Sequence, residues 1–470
     1  MLPNLYFIYK DILAYNEKGQ PVFPASNAGN EYLPWFVTPD NKVEEELKKH
    51  GANFPYVINH KTSPDVIKLI HSLSSNQADR YLDNSYNNIS TLSFQQALNT
   101  PEVHLILPIV LFSDEYFFKK EITPLSVTLK TKIREGKLKV LFIIPTECWF
   151  STKDQHFIWL EEYAKVNELP IGSLIALNPN FNSKKNYYKY LEKNGVLDFM
   201  TVMEYDYFRY SLWFYENMNL LSPHNKYKVF QEFQQNLRTK AKGELKNHFL
   251  CLNRTIRPHR IFIFAQIASD EKLRALTDLS MGSIDPKLIN FAKTLKRDLK
   301  DDYAYSKVKL LNFLQTYDQS LPYVYDVEDI EENNQATTLN LKAHLETFVN
   351  IVTETSHEEN AIFFTEKTFK PIMSAQPFIM VSSPFTLKKL HEHGFKTFSD
   401  FWDESYDEET DFTRRMEKIV EVMYEIASWD LEKCKKVYLK MEKILKHNVE
   451  TLMNTSDLEH IHEQLSHFPE

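Results

Sequence analysis

The sequence predicts an α/β chain with two parallel-sheet units, each assembled from strand–helix–strand crossovers. Three observations predict it. Apolar runs of buried-strand length alternate with amphipathic stretches. The alternation occurs once before residue 210 and again after residue 245. Finally, 470 residues with 43% hydrophobic and 14% aromatic side chains exceed one ordinary core.

In the first half, Val103–Phe112 and Leu138–Ile144 read as buried strands. An amphipathic helix at residues 154–167 and a third strand at 171–177 follow, a Rossmann-like order. Residues 1–105 are rich in Asn, Ser and Pro and contain no repeat. In the second half Leu250–Leu252 is a short buried strand, and Phe348–Thr353 is an apolar run ending in Glu354. A polar loop leads to a second apolar run, Ala361–Phe364, read as strand up to Thr365-Glu366-Lys367. After a helix come Gln376-Pro377, the strand Phe378–Ser382, and a helix from Thr386 to His393 closed by Gly394. Strand, loop, helix, strand, helix is the right-handed crossover of a parallel sheet. Ligands of such sheets bind at the carboxyl ends of the strands, where Glu354 and Glu366 fall.

Thr365 is the expected cap of the helix after it, whose free N–H groups and positive dipole end suit an anion. Lys367 adds a full charge, and Glu366 is placed to accept hydrogen bonds from a ribose diol. The alternative is a capped amphipathic helix with two surface charges. Upstream, Asn253 is the polar exit of its strand and Pro258 an early helix residue, so Arg254, Arg257, His259 and Arg260 gather at a strand end and helix start. Guanidinium groups are bidentate partners for phosphate. Cations are otherwise disfavoured at a helix N-terminus, so a purely solvated basic face is the weaker alternative.

As a set, these residues resemble the donor-binding half of the alpha-1,3-fucosyltransferases and, more closely, related glycosyltransferases of phages and large DNA viruses. The resemblance is carried by Phe249–Arg260 with its Leu-Asn-Arg and His-Arg, by Thr365-Glu366-Lys367 with Lys370-Pro371, and by the runs Gly394–Phe398 and Asp403–Asp407. It spans roughly residues 245–425. It implies two Rossmann-like domains facing a cleft, the GT-B arrangement. It also implies a nucleotide-sugar donor, a GDP-sugar favoured, used as substrate with no separate cofactor. Arg260 and Lys367 would hold the diphosphate and Glu366 the ribose, within a donor set of Asn253, Arg254, Arg257, Arg260, Glu354, Thr365, Glu366, Lys367 and Lys370. The acceptor would be a glycan or a small hydroxyl compound.

On this reading residues 1–240 form an acceptor domain, 241–425 the donor domain, and 426–470 C-terminal helices that by analogy cross back to the first domain. A helical appendage for oligomerisation is the alternative. The tail pattern predicts helices at Asp411–Ala427, Leu431–Val449 and Leu458–Leu465. A linker is expected near Asn236–Lys246, a charged stretch without apolar periodicity.

An inverting, metal-independent transfer needs a carboxylate to take the acceptor proton while cations and a helix end stabilise the leaving diphosphate. The first choice is Glu147, just past the Leu138–Ile144 strand and near Trp149. It is also readable as an ordinary loop carboxylate. Glu204 and Asp206 are the second choice and Glu354 the third, with Glu354 more naturally a donor-sugar contact. Asp403, Glu404 and Asp407 have metal-like spacing but no Gly-turned calcium loop, and read otherwise as a charged helix start.

Composition excludes several classes. The net charge of −9 disfavours a general nucleic-acid surface. Lys119-Lys120, Lys130–Lys139 and Arg238–Lys246 are basic enough to keep a DNA-base acceptor as an alternative. Cys148, Cys251 and Cys434 have no paired spacing for a disulfide framework or zinc site. Dinucleotide, P-loop, hydrolase-elbow and zincin motifs are absent, and the chain has only nine glycines, so side chains must do phosphate holding that Gly-rich loops do elsewhere. No apolar run reaches membrane-spanning length and the segment Met1–Asn16 has no basic region ahead of an apolar core, so a cytoplasmic location is expected. A non-catalytic nucleotide- or carbohydrate-binding protein is the remaining alternative.

Overall fold

The computed structural model describes residues 4–9, 56–60, 90–93, 103–110, 125, 127–144, 150–210, 229–254, 257–282, 339–454, 461 and 463–465. The chain divides into two compact units, Met1–Met218 with Thr455–Glu470, and Asn219–Asn454. Both are α/β, as the alternation predicts.

The first unit holds a seven-stranded sheet in the order β3-β2-β1-β4-β5-β6-β7. Its strands are β1 Asn4–Tyr9, β2 Tyr56–His60, β3 Ser90–Ser93, β4 Val103–Val110, β5 Leu138–Ile143, β6 Leu174–Asn178 and β7 Thr201–Glu204. β1, β4, β5, β6 and β7 run parallel, while β2 is antiparallel to both β1 and β3. Helices α1 Val127–Arg134, α2 Asp154–Val166 and α3 Ser183–Asn194 join β4 through β7. These crossovers all step the same way, so right-handedness places the three helices on one face. The core agrees: Leu107, Val140, Phe142 and Ala176, from alternate strand positions, pack with Leu129, Leu160, Tyr163 and Tyr187 of the helices. The third strand begins at Leu174, because Ile171–Ser173 is a turn of 3-10 helix.

The second unit has a four-stranded parallel sheet, β11-β10-β8-β9. The strands are β8 Asn247–Asn253, β9 Thr277–Met281, β10 Thr347–Thr353 and β11 Phe378–Val381. Around them lie α4 Val229–Lys242, α5 Pro258–Ala268, α6 Glu271–Ala275, α7 Leu341–Glu346, α8 Glu366–Met373, α9 Thr386–Glu392, α10 Phe412–Ala427, α11 Leu431–Lys440 and α12 Glu442–Met453. β8 and β10 are buried on both faces, and Phe249, Leu250, Phe348, Val349 and Val352 are at most 1% exposed. α5 packs with α6 and α10, whereas α8 packs with α4 and α12.

Three expectations are corrected here. Ala361–Phe364 is buried but forms no strand; it is a connection between β10 and α8. The supposed linker Asn236–Lys246 is helical through Lys242. Its inward positions are Phe233, Asn236, Leu237 and Lys240, at helical spacing but half polar, which hides the period. Lys240 is tolerated inside because its Nζ donates to the carbonyl oxygens of His344 (2.6 Å) and Thr347 (2.5 Å) at the end of α7. Burial holds that ammonium well below the usual lysine pKa. Lastly, the expected helix 431–449 is two helices meeting at Met441.

Among the described residues no helix is long and apolar enough to cross a membrane. At the exit of β9, a Cβ on Gly282 would lie 2.0 Å from the Arg254 carbonyl oxygen. Gly282→Ala should therefore displace the β8 exit and cost about 1–3 kcal/mol, the usual range for overpacking, read as a drop in the denaturation midpoint.

Candidate functional site

The second sheet contains a topological switch. From β8 the chain steps through α5 to β9 on one side, and from β10 it steps through α8 to β11 on the other. Right-handed crossovers in opposite directions put α5 and α8 on opposite faces. Their N-termini then flank the carboxyl ends of the adjacent strands β8 and β10, where open parallel sheets bind ligands. The residues expected to bind the donor lie on β8, β10 and these two helix starts.

The two strand ends are tied together. Asn253, which closes β8, accepts on Oδ1 a hydrogen bond from Thr353 Oγ1, which closes β10, and donates from Nδ2 to Cys251 Sγ (3.3 Å). Its carbonyl accepts from Gly282 N (2.9 Å). Asn253, Thr353 and the adjoining Glu354 are all buried.

Glu354 was expected to contact the donor sugar, and the structure gives it another part. It is 0% exposed. Oε1 accepts from Thr365 N (2.9 Å) and Thr368 Oγ1 (2.5 Å). Oε2 accepts from Thr355 N (3.1 Å) and Thr365 Oγ1 (2.8 Å). A carboxylate has about four acceptor positions, so protein donors fill it. Its backbone carbonyl meanwhile accepts from His259 Nε2 (2.6 Å) and Arg260 Nη2 (3.1 Å) in the first turn of α5.

Thr365 is the N-cap of α8, as its position in the sequence predicts: Oγ1 accepts from Lys367 N (3.2 Å). Its carbonyl accepts from Thr368 N (3.1 Å). With Thr365 N bonded to Glu354, the start of α8 is satisfied from within, which the expectation of an open anion site there did not foresee. What α8 presents is side chains. Glu366 Oε1 accepts from Lys367 Nζ (2.7 Å), with 17% and 27% of the two side chains exposed, so both stay within reach of a solute. Lys370, one turn on, is half-buried. Burial raises the Glu366 pKa, but the charges of Lys367 and then Lys370 outweigh it and hold the carboxyl at about 2. Glu366 is therefore an ionised acceptor, the state a diol recognises.

Around the start of α5 the cations divide. Arg260, expected at the diphosphate, is buried and turns Nε to the Thr353 carbonyl (3.2 Å) and Nη2 to that of Glu354. These bonds secure the end of β10. Arg257, the N-cap of α5, makes no capping bond and is half-buried, while Arg254 is exposed. The His259 and His357 rings lie 5.1 Å apart, tilted by 31°. Burial, with His357 and Arg260 nearby, keeps His259 well below the ordinary histidine pKa. Burial, then Arg415 and Arg257, bring His357 down to about 4. Both imidazoles are thus neutral near pH 7, and the positive charge there belongs to arginines. Arg415, which sequence reading did not single out, donates from Nη2 to the His357 carbonyl (2.9 Å) and from Nη1 to that of Glu409 (2.8 Å).

Glu147 lies outside the described residues. In the first unit, Glu204 Oε1 accepts from Lys184 N (2.9 Å) in the first turn of α3, and buried Asp206 accepts on Oδ1 from Arg209 N (3.3 Å). Each is engaged with nearby backbone. The acids with metal-like spacing serve three different backbones. Asp403 accepts from Ser405, Glu404 from Thr397 and Phe398, and Asp407 from Leu387 N (2.8 Å) and Lys388 N (3.0 Å) at the start of α9. Among the described residues no group of three His, Cys, Asp or Glu is placed to hold a metal.

Burial pushes the Glu404 carboxyl from 4.5 to about 7, opposed only in part by hydrogen bonds from Thr397 and Phe398. The folded state then binds more protons than the unfolded state between those values, so stability should fall as pH rises from about 4.5 to 7. In Glu404→Gln this part of the pH dependence should disappear, measured by denaturant melts at several pH values.

No family model matches the chain, and no curated protein sequence matches it. Among solved structures the chain is similar to the crystal structure of an alpha,alpha-trehalose-phosphate synthase (UDP-forming) from Burkholderia vietnamiensis, at 10% sequence identity and a TM-score of 0.36, over 85% of this chain and 76% of that one. The α/β assignment rests on the two sheets themselves.

Proposed function

We propose that this chain is a glycosyltransferase that takes a sugar from a nucleotide-sugar donor bound at the switch point of the second unit. One observation carries the proposal: an ionised, partly accessible Glu366 stands beside Lys367 and Lys370 at the carboxyl edge of a parallel sheet. A carboxylate next to ammonium groups matches a ribose diol next to a diphosphate.

In this reading Glu366 accepts hydrogen bonds from the ribose hydroxyls, and Lys367 with Arg257 neutralises the diphosphate. Arg260 supports the site by holding the end of β10. The acceptor hydroxyl oxygen forms its bond to the anomeric carbon as the bond to the diphosphate oxygen breaks, with inversion at that carbon. A carboxylate, for which Glu147 is the proposed residue, takes the hydroxyl proton. The electron pair leaves with the nucleoside diphosphate, whose growing charge the cations stabilise in place of a metal. A GDP-sugar is the proposed donor, and a glycan or small hydroxyl compound the acceptor.

A panel of nucleoside diphosphates tests this. One base should raise the melting temperature, and Lys367→Ala should weaken that diphosphate by about 1.5–3 kcal/mol, the value of a hydrogen bond to a charged group, while affecting the nucleoside far less. Glu366→Ala should lose discrimination between ribo- and deoxyribonucleotides. If no diphosphate in the panel shifts the melt, the donor-site reading is wrong. Slow donor hydrolysis that disappears in Glu147→Ala would distinguish an enzyme from a nucleotide-binding protein.

A further inference from the structure

The switch point brings two helix starts to one residue. Glu354 is held through its carbonyl by His259 and Arg260 of α5, and its carboxylate holds Thr365 and Thr368 of α8. It is wholly buried, so it does not touch a ligand itself. The carboxylate also lies at the positive end of α8, on the N–H of its N-cap Thr365 and the hydroxyls of Thr365 and Thr368, while Thr365 takes the N–H groups of Lys367 and Thr368. An anionic ligand therefore finds that position filled and meets the side chains of Glu366 and Lys367 instead.

We infer that Glu354 is a positioning residue for the donor: it is the protein's own anion at the start of α8, and it sets the angle at which Glu366 and Lys367 face the ribose and diphosphate. The inference rests on the donor-site reading above. The physical basis is rigidity. Thr365 is bonded through both its N–H and its hydroxyl, and Thr368 one turn on is bonded to the same carboxylate, so the first turn of α8 has little freedom to rotate. Because Glu366 and Lys367 lie between those two threonines in the chain, their backbone directions are set by the same bracket. A neutral amide at position 354 places an NH2 group against donors and breaks the arrangement with little change in volume.

The test is a double-mutant cycle on nucleoside diphosphate affinity, measured by calorimetry, with wild type, Glu354→Gln, Lys367→Ala and the pair. If Glu354 acts through Lys367, the loss from Lys367→Ala shrinks by about tenfold in the Glu354→Gln background, a coupling within the range for residues in one network. Purely structural damage lowers the melting temperature without this coupling, and additive losses would overturn the inference. Should Glu354→Gln fail to fold, Thr368→Val removes one donor to the same carboxylate at nearly constant volume and enters the same cycle, with the same two outcomes. The two readings fail separately. Wild type that binds no diphosphate removes the donor site, and this inference with it. Wild type that binds, with an additive cycle, removes only the positioning role.

Discussion

The second unit depends on one buried carboxylate. Glu354 sits where β10 ends, and six hydrogen bonds converge on it, four at the carboxylate and two at the carbonyl. A carboxylate removed from water is costly unless its acceptor positions are filled. Here the donors are Thr365 and Thr368 at the start of α8 and Thr355, the residue that follows Glu354, and the charge lies at the positive end of a helix dipole. Satisfying this one group requires β10, α5 and α8 to hold one arrangement. Removing a single partner leaves a buried acceptor short of a donor, so the bracket constrains several elements together.

The same principle recurs at the other end of the sheet. Gln376 donates from Nε2 to Thr347 Oγ1 (2.8 Å) and accepts on Oε1 from His344 Nδ1 (2.6 Å) and Asn350 Nδ2 (3.3 Å). Lys240 closes the neighbouring carbonyls of His344 and Thr347. Buried polar groups therefore fasten both ends of β10, while Phe348, Val349, Ile351 and Val352 between them are apolar and buried. A strand secured in this way is a firm base for side chains that must keep fixed positions at its carboxyl edge.

Some of this was legible in the residues. The apolar runs gave β4, β5, β10 and β11 within a residue or two and the centre of β8, because fully buried parallel strands are continuous apolar runs. Thr365 as a cap and Pro258 at the first position of α5 follow from local chemistry and appear where expected. Side-chain direction was not legible. Nothing local distinguishes Arg260, turned to backbone carbonyls, from Arg254, exposed just past the end of β8. Asp407 capping α9 from 20 residues away and Lys240 closing α7 from more than a hundred are long-range partnerships that leave no periodic trace. The second half of α4 was read as a linker because its buried face includes Asn236 and Lys240.

By itself the sequence determined the α/β class, the main strands and the place in the chain where a carboxylate and ammonium groups gather, because these depend on apolar periodicity and on capping between near neighbours. Tertiary structure decided which charges remain accessible. Glu354 was drawn inward by donors at the start of α8, and Arg260 by the carbonyls at the end of β10. Glu366 and Lys367, on the first turn of α8, were left partly exposed. The physical reason is that burial of a charged side chain follows from the partners the fold brings to it, which for Arg260 lie more than ninety residues away and for Glu354 lie across a loop, beyond the reach of a local pattern.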